Sequence, residues 1–117
     1  MNDDSEWPTD WLRAVLSPAV LRVLADGPTY GYAISARLEA AGFGKVKGGT
    51  LYPLLGRLEV ADLVRTEWRA GEAGPGRKYY ELTPGGKASL AEQAERWTRF
   101  VTVTELHLQP TTEEQHD

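Results

Sequence analysis

The chain has 117 residues, 41% hydrophobic and 26% charged, a length and balance that suit one globular domain with one projecting element. It has no cysteine, which excludes disulfide scaffolds, cysteine-ligated zinc and thiol catalysis, and no apolar run approaches the ~18 residues of a membrane span. The net charge of −4 argues against nucleic-acid binding over the whole surface, and the acidic opening Met1-Asn-Asp-Asp-Ser-Glu-Trp-Pro8 lacks the basic-then-apolar order of a secretion signal, so a cytoplasmic location is expected.

From Trp7 to Asp26 the chain is mostly apolar. Ser17-Pro18 reads as a helix cap followed by a first helical position, which predicts a short arm helix near 8–16, capped by Asp10, then a bend and a core helix near 18–26. Gly27-Pro28 ends that second helix. The next helix spans Tyr30 to Ala41, with Tyr32 (or Tyr30), Ile34 and Leu38 on its inner face and Gly42 and Gly44 as its stop.

A short turn leads to a helix over 48–61. Leu51, Leu54, Leu55 and Leu58 fall at i, i+3, i+4 and i+7, one buried helical face. Thr50, Tyr52, Pro53 and Arg57 lie off that stripe and are pushed outward. Two helices joined so tightly form a helix-turn-helix, the second being the reading helix. Lys45 and Lys47 add positive charge at its start, where backbone N–H groups already favour anions.

Past residue 63 the period changes from 3.6 to 2. Val64, Thr66 and Trp68 alternate with Arg65, Glu67 and Arg69. Beyond a Gly/Pro-rich loop, Arg77, Tyr79 and Glu81 alternate with Lys78, Tyr80 and Leu82. This is a β-hairpin; directly after a helix-turn-helix it is a wing. Arg77 and Lys78, beside the loop, are placed to reach a phosphate backbone or an adjacent minor groove, Lys78 less directly because it falls on the inward side. Residues 45–78 carry seven Lys/Arg against four Asp/Glu, a local +3 that leaves −7 for the rest of the chain. Such an island can focus binding onto one face, although a solvated mixed-charge surface has the same composition.

Thr83-Pro84 repeats the cap-then-proline signal and opens a last helix, 84–108. Leu90, Ala94, Trp97, Val101, Thr104 and Leu108 step by four and three, a heptad seam. At ~1.5 Å per residue the helix is roughly 37 Å long, more than a small domain covers, so a second copy of the chain is the simplest cover for the seam. The fold class expected is therefore mainly α with a small β-hairpin wing. Its parts are an arm helix (1–17), a winged helix-turn-helix (18–83), a long dimerisation helix (84–109) and a disordered polar tail (110–117).

The motifs Tyr30-Gly31-Tyr32, Gly49-Thr-Leu-Tyr-Pro-Leu-Leu55, Arg57-Leu-Glu59 and Arg77-Lys-Tyr-Tyr80-x-Leu-Thr83 occur in one order over residues 12–108. In these the chain resembles the PadR-like transcriptional regulators. The resemblance implies a homodimeric repressor of duplex DNA whose reading helix enters the major groove, with Lys45, Lys47, Thr50, Tyr52, Arg57, Arg77 and Lys78 as DNA-binding candidates. With one helix after the wing, the chain is similar to the compact branch, some members of which bind flat aromatic drugs between subunits against a tryptophan of the last helix. Trp97 matches that tryptophan, and Phe100, Ala94 and Trp11 or Leu12 would line the same cavity. Against this, a tryptophan at a heptad position is more often plain dimer core than a ligand platform. Two departures stand out: Gly56 where the family carries Lys or Arg, and Lys47 where Ser often caps the reading helix.

No Ser/His/Asp or paired-carboxylate arrangement supports catalysis, no metal or cofactor is implied, and the loop glycines 71, 74 and 76 precede no phosphate-binding helix. The rival from another class is a winged helix used only for protein interaction, which would leave the basic island unused.

Overall fold

Leu16, Val20, Leu21, Val23 and Leu24 are all buried and make the second half of one long helix the centre of the core. In the computed structural model, which describes residues 7–71 and 74–111, this helix α1 runs without interruption over Thr9–Leu24. The bend expected at Ser17-Pro18 is absent. Pro18 removes one backbone donor and crowds the carbonyl of Ala14, a cost of about 3 kcal/mol. Five flanking apolar side chains, each stabilised by roughly 1.5–3 kcal/mol on burial, exceed that cost, and Pro18 itself is buried. Asp10 does not cap the helix either: Pro8 occupies the cap position, and Asp10 sits in the first turn, 3.0 Å from the Arg13 guanidinium.

The next element is a strand that pattern reading missed. β1, Thr29–Tyr30, pairs antiparallel with the wing, Thr29 opposite Tyr80 and Tyr30 opposite Tyr79. The following helix α2 therefore starts at Gly31 and covers Gly31–Leu38. Its buried side is Gly31, Ile34 and Leu38, whereas Tyr32 is 77% exposed, which corrects its placement on the inner face. A single π turn, Glu39–Phe43, ends the helix, with Gly42 at φ 107° and Gly44 at φ 81°, backbone conformations that only glycine adopts cheaply. Asp26 braces this half of the domain: it accepts from Arg22 at 2.9 Å and from Arg37 of α2. Those two guanidinium hydrogen bonds hold its carboxyl below the ordinary carboxylate range.

The reading helix α3 spans Gly48–Val60, with Leu51, Leu54, Leu55 and Leu58 buried as the stripe predicts. It ends in a Schellman turn: Leu63 N–H donates to the Leu58 carbonyl at 2.9 Å, Asp62 N–H donates to Glu59 at 2.9 Å, and Asp62 takes φ 62°. The hairpin follows as β2, Val64–Arg69, and β3, Arg77–Leu82, giving a three-stranded sheet in the order β1-β3-β2. Val64, Tyr80 and Leu82 close the core from the sheet side.

Helix α4 covers Pro84–Leu108, the predicted span. Thr83 locks its start. The Thr83 hydroxyl donates to the Asp62 carbonyl at 2.7 Å and accepts from Gly86 N–H at 2.9 Å, while Thr83 N–H donates to the Leu63 carbonyl at 3.1 Å. Beyond that anchor α4 runs beside α1, with Leu90 packed on the core and Gly86 its one fully buried residue among the described residues. The polar tail expected to be disordered lies, past Thr111, outside the described residues, as does the acidic stretch before Trp7. Among the described residues no helix is long and apolar enough to cross a membrane.

The close approach at Gly86 gives a direct test. A Cβ there would collide with the Leu63 carbonyl oxygen and the Leu82 side chain, whereas one at Gly85 would meet only ordinary contacts at 3.6 Å. Gly86→Ala should cost about 1–3 kcal/mol in urea unfolding, the scale of overpacking. Gly85→Ala should be neutral or slightly stabilising, because alanine is the better helix former.

Candidate nucleic-acid interface

The leucine stripe decides what α3 shows to solvent. With Leu51, Leu54, Leu55 and Leu58 committed to the core, Thr50, Tyr52, Pro53, Gly56 and Arg57 face outward. The start of α3 is positioned by Val46, whose side chain is buried and whose carbonyl accepts the Ser35 hydroxyl at 2.7 Å. Lys45 and Lys47 flank this plug and are therefore both exposed. Lys47 takes the cap position with extended backbone and no side-chain cap bond, the arrangement expected when a lysine stands there. Among the described residues Lys45, Lys47 and Arg57 make no ion pair, so their charges are uncompensated locally.

Tyr52 is neither free nor buried. It is 52% exposed, and its ring and hydroxyl lie so close over Gly31 that a Cβ at that position would overlap them. The ring also rests on Gly48, whose Cβ would stand 3.4 Å away. Glycine at position 31 thus lets the tyrosine of the reading helix lie across the start of α2, leaving one ring edge outward. This is the physical content of the Tyr30-Gly31-Tyr32 motif.

The adjacent cations of the wing have intramolecular partners. Arg77 stacks on the Tyr30 ring at 4.4 Å, Arg69 stacks on Tyr79 at 4.2 Å, and Tyr30 and Tyr79 tilt together at 5.5 Å, so cation and aromatic alternate on the sheet's outer face. Lys78, on the inner face as expected, lies 3.8 Å from the Glu59 carboxylate of α3. The Thr66 hydroxyl donates to the same carboxylate at 3.1 Å. Glu59 therefore fastens the wing to the reading helix. Arg77, though stacked, is exposed. Tyr80, beneath this junction, has its phenol pushed up by burial, with Tyr52 and Glu59 adding to the effect, so it remains a neutral hydroxyl.

Helix and wing leave between them a crease of about 620 Å³ whose walls include Tyr32, Tyr52, Gly56, Trp68, Arg77 and Lys78. Tyr32 and Trp68 were not among the sequence candidates. For Trp68 a signal existed, since it shares the inner-face alternation of Val64 and Thr66, but it lies beyond the reach of the core and is 70% exposed.

A second concavity, about 730 Å³, separates α1 from α4. Trp7, Trp11, Phe43, Trp97, Phe100 and Leu108 are among its walls. Trp97 and Phe100 meet edge to face at 5.8 Å and 83°. Trp11 and Leu12 both line this cleft, whereas Ala94 is not among its lining residues. Its far end touches the helix-turn-helix: Ala41, Gly42 and Phe43 contribute to the wall, and Trp7 Nε1–H donates to the Gly42 carbonyl at 2.8 Å. The α4 seam is broader than a heptad strip. Leu90 packs on its own domain's core, while Phe100, Val101, Val103, Leu106 and Leu108 are exposed on several sides of the helix.

Known proteins carry the same features. The pattern of the transcriptional regulator PadR-like family matches residues 20–92, which spans α2, α3, the wing and the start of α4. Transcriptional regulator Rv3488 of Mycobacterium tuberculosis is 36% identical over 83 residues, 71% of this chain and 76% of that protein. The crystal structure of a PadR-like transcriptional regulator from Bacillus cereus superimposes with a TM-score of 0.78 at 33% identity, covering 88% of this chain and 100% of the other. That of a PadR family transcriptional regulator from Eggerthella lenta gives 0.79 at 33% identity, covering 87% and 88%. With the sequence pattern, the winged-helix architecture and the relatives in agreement, this chain belongs to the PadR-like family of transcriptional regulators.

Proposed function

We propose that this DNA-binding regulator is a homodimeric repressor, each subunit placing α3 in a major groove with its wing on the flanking backbone. The observation that carries this reading is the division of α3. Its leucine face is wholly buried, while Thr50, Tyr52 and Arg57 are exposed along the helix and Lys45 and Lys47 are exposed just ahead of its start, the three cations making no ion pair among the described residues. A net-negative protein that leaves cations unpaired on one rim directs that rim at phosphate. Arg77 extends the rim along the wing, with Lys78, held by Glu59, the less direct contact behind it. Two copies joined along α4 cover its exposed apolar residues, and the half-sites then lie about one helical turn, ~34 Å, apart or a multiple of it.

The α1–α4 cleft supports a ligand reading. Its aromatic walls, Trp7, Trp11, Trp97 and Phe100, suit a flat aromatic molecule, and Glu105 among its lining residues favours a cationic one. Binding there releases DNA only to the extent that the ligand prefers the DNA-incompetent form of the dimer.

Three measurements test these assignments. A duplex enriched by the protein from a random-sequence pool should bind with an affinity that falls linearly with log salt. Arg57→Ala should lower the slope by about 0.9, the share of one phosphate; flat salt dependence would favour a protein-interaction module instead. Sedimentation at micromolar concentration should give twice the chain mass, and solitary subunits would sink the dimer. A planar cationic dye should quench tryptophan fluorescence with an affinity lost in Trp97→Ala. Unchanged dye affinity in a variant that stays dimeric would remove Trp97 from the ligand site.

A further inference from the structure

Trp68 is the least explained large side chain of the wing. It is 70% exposed, and its indole makes no hydrogen bond or ring contact among the described residues. Its register places it opposite Lys78 on the sheet face that looks toward α3. Two residues earlier on that face, Thr66 already touches Glu59 of α3, so the wing is anchored there and Trp68 overhangs the anchor. Across the crease stands Gly56. A Cβ built on it would meet nothing within 4 Å, so the helical wall opposite the indole is bare backbone with open space in front.

The rest of the crease is cationic and aromatic. Lys78 and Arg77 line it together with Tyr32 and Tyr52, both exposed. Its one carboxylate, Glu59, is engaged by Lys78 and Thr66. A large apolar ring held in solvent beside the exposed Arg77, which makes no ion pair among the described residues, suits a partner that is apolar on its faces and anionic on its edges. A deoxyribose-phosphate strand is such a partner. When a reading helix fills a major groove and the wing lies on the flanking backbone, the strand dividing those grooves must run through the crease between them.

Resting on the DNA reading above, we infer that Trp68 is a DNA-clamping residue: its indole packs on the deoxyriboses of the strand that passes between α3 and the wing, in the space Gly56 leaves open. The contact is uncharged and directed at sugar, so it adds affinity on every sequence and leaves the salt dependence unchanged. A side chain at position 56 competes with it for the same space.

The test uses the full chain, the enriched duplex and a scrambled duplex of the same length. Trp68→Ala should weaken both complexes by a similar factor, on the order of tenfold, as expected for uncovering about half an aromatic side chain. Its salt slope should match the parent's, and Trp68→Phe should recover most of the loss. In a variant with Trp7, Trp11 and Trp97 replaced by Phe, iodide should quench Trp68 in the free protein and fail to do so in the saturated complex. Where that triple variant does not fold, the difference in iodide quenching between the parent and Trp68→Phe gives the same readout. Parent-like affinity of Trp68→Ala on both duplexes, or iodide access undiminished by DNA, would overturn the clamp while leaving the DNA reading standing. No binding of either duplex by the parent would overturn both.

Discussion

One hydroxyl group ties the two halves of this molecule together. Thr83 donates to the carbonyl at the Schellman turn that ends the reading helix and accepts from Gly86 N–H in the first turn of α4. A buried hydroxyl satisfied on both sides fixes direction as well as distance, and removing either partner would strand a polar group in the core. The glycine at 86 allows this joint to close, because the Leu63 carbonyl sits where a Cβ would be. The orientation of α3 relative to α4 is set within one turn of backbone, and any spacing between two reading helices in a dimer inherits it.

The charge pattern acquires meaning only on this frame. A chain of net charge −4 is a poor electrostatic partner for DNA taken whole. Up to the end of the wing the fold sorts its cations into three groups, and on α4 Lys87 and Arg96 also make no ion pair among the described residues. Some are structural, as Arg22 and Arg37 are on Asp26 and Lys78 is on Glu59. Others are stacked on tyrosines but exposed, as Arg69 and Arg77 are. Lys45 and Lys47 just ahead of α3, and Arg57 on its exposed side, make no ion pair among the described residues. This last group carries the DNA reading, and it is far smaller than the seven cations counted along residues 45–78.

The apolar cleft and the reading helix are joined by backbone. Trp7 of the arm bonds to Gly42, in the π turn between the two helices of the helix-turn-helix, and the same turn forms part of the cleft wall. The residue just ahead of α1 is thus tied directly to the turn that precedes α3. The exposed apolar residues of α4 extend from the same cleft. The cover proposed for them, a second copy, would therefore also wall the ligand site.

Helix α4, the buried stripe of α3, both hairpin strands and the Thr83 cap were legible in the sequence because each rests on a local period or a local cap, and burial follows period directly. The family resemblance was legible for the same reason, since its motifs are short and contiguous. What only the tertiary structure decided involves contacts between segments far apart in the chain. Tyr30 became a strand because Tyr79, 49 positions later, offered it a partner, and Tyr32 turned outward as a result. Pro18 stayed inside a helix because the core around it outweighed its local penalty. The resting place of Tyr52 on Gly31, the stacking of Arg77 and the open crease beneath Trp68 all require three elements to be set against one another, a geometry that periodicity, which describes one element at a time, does not contain.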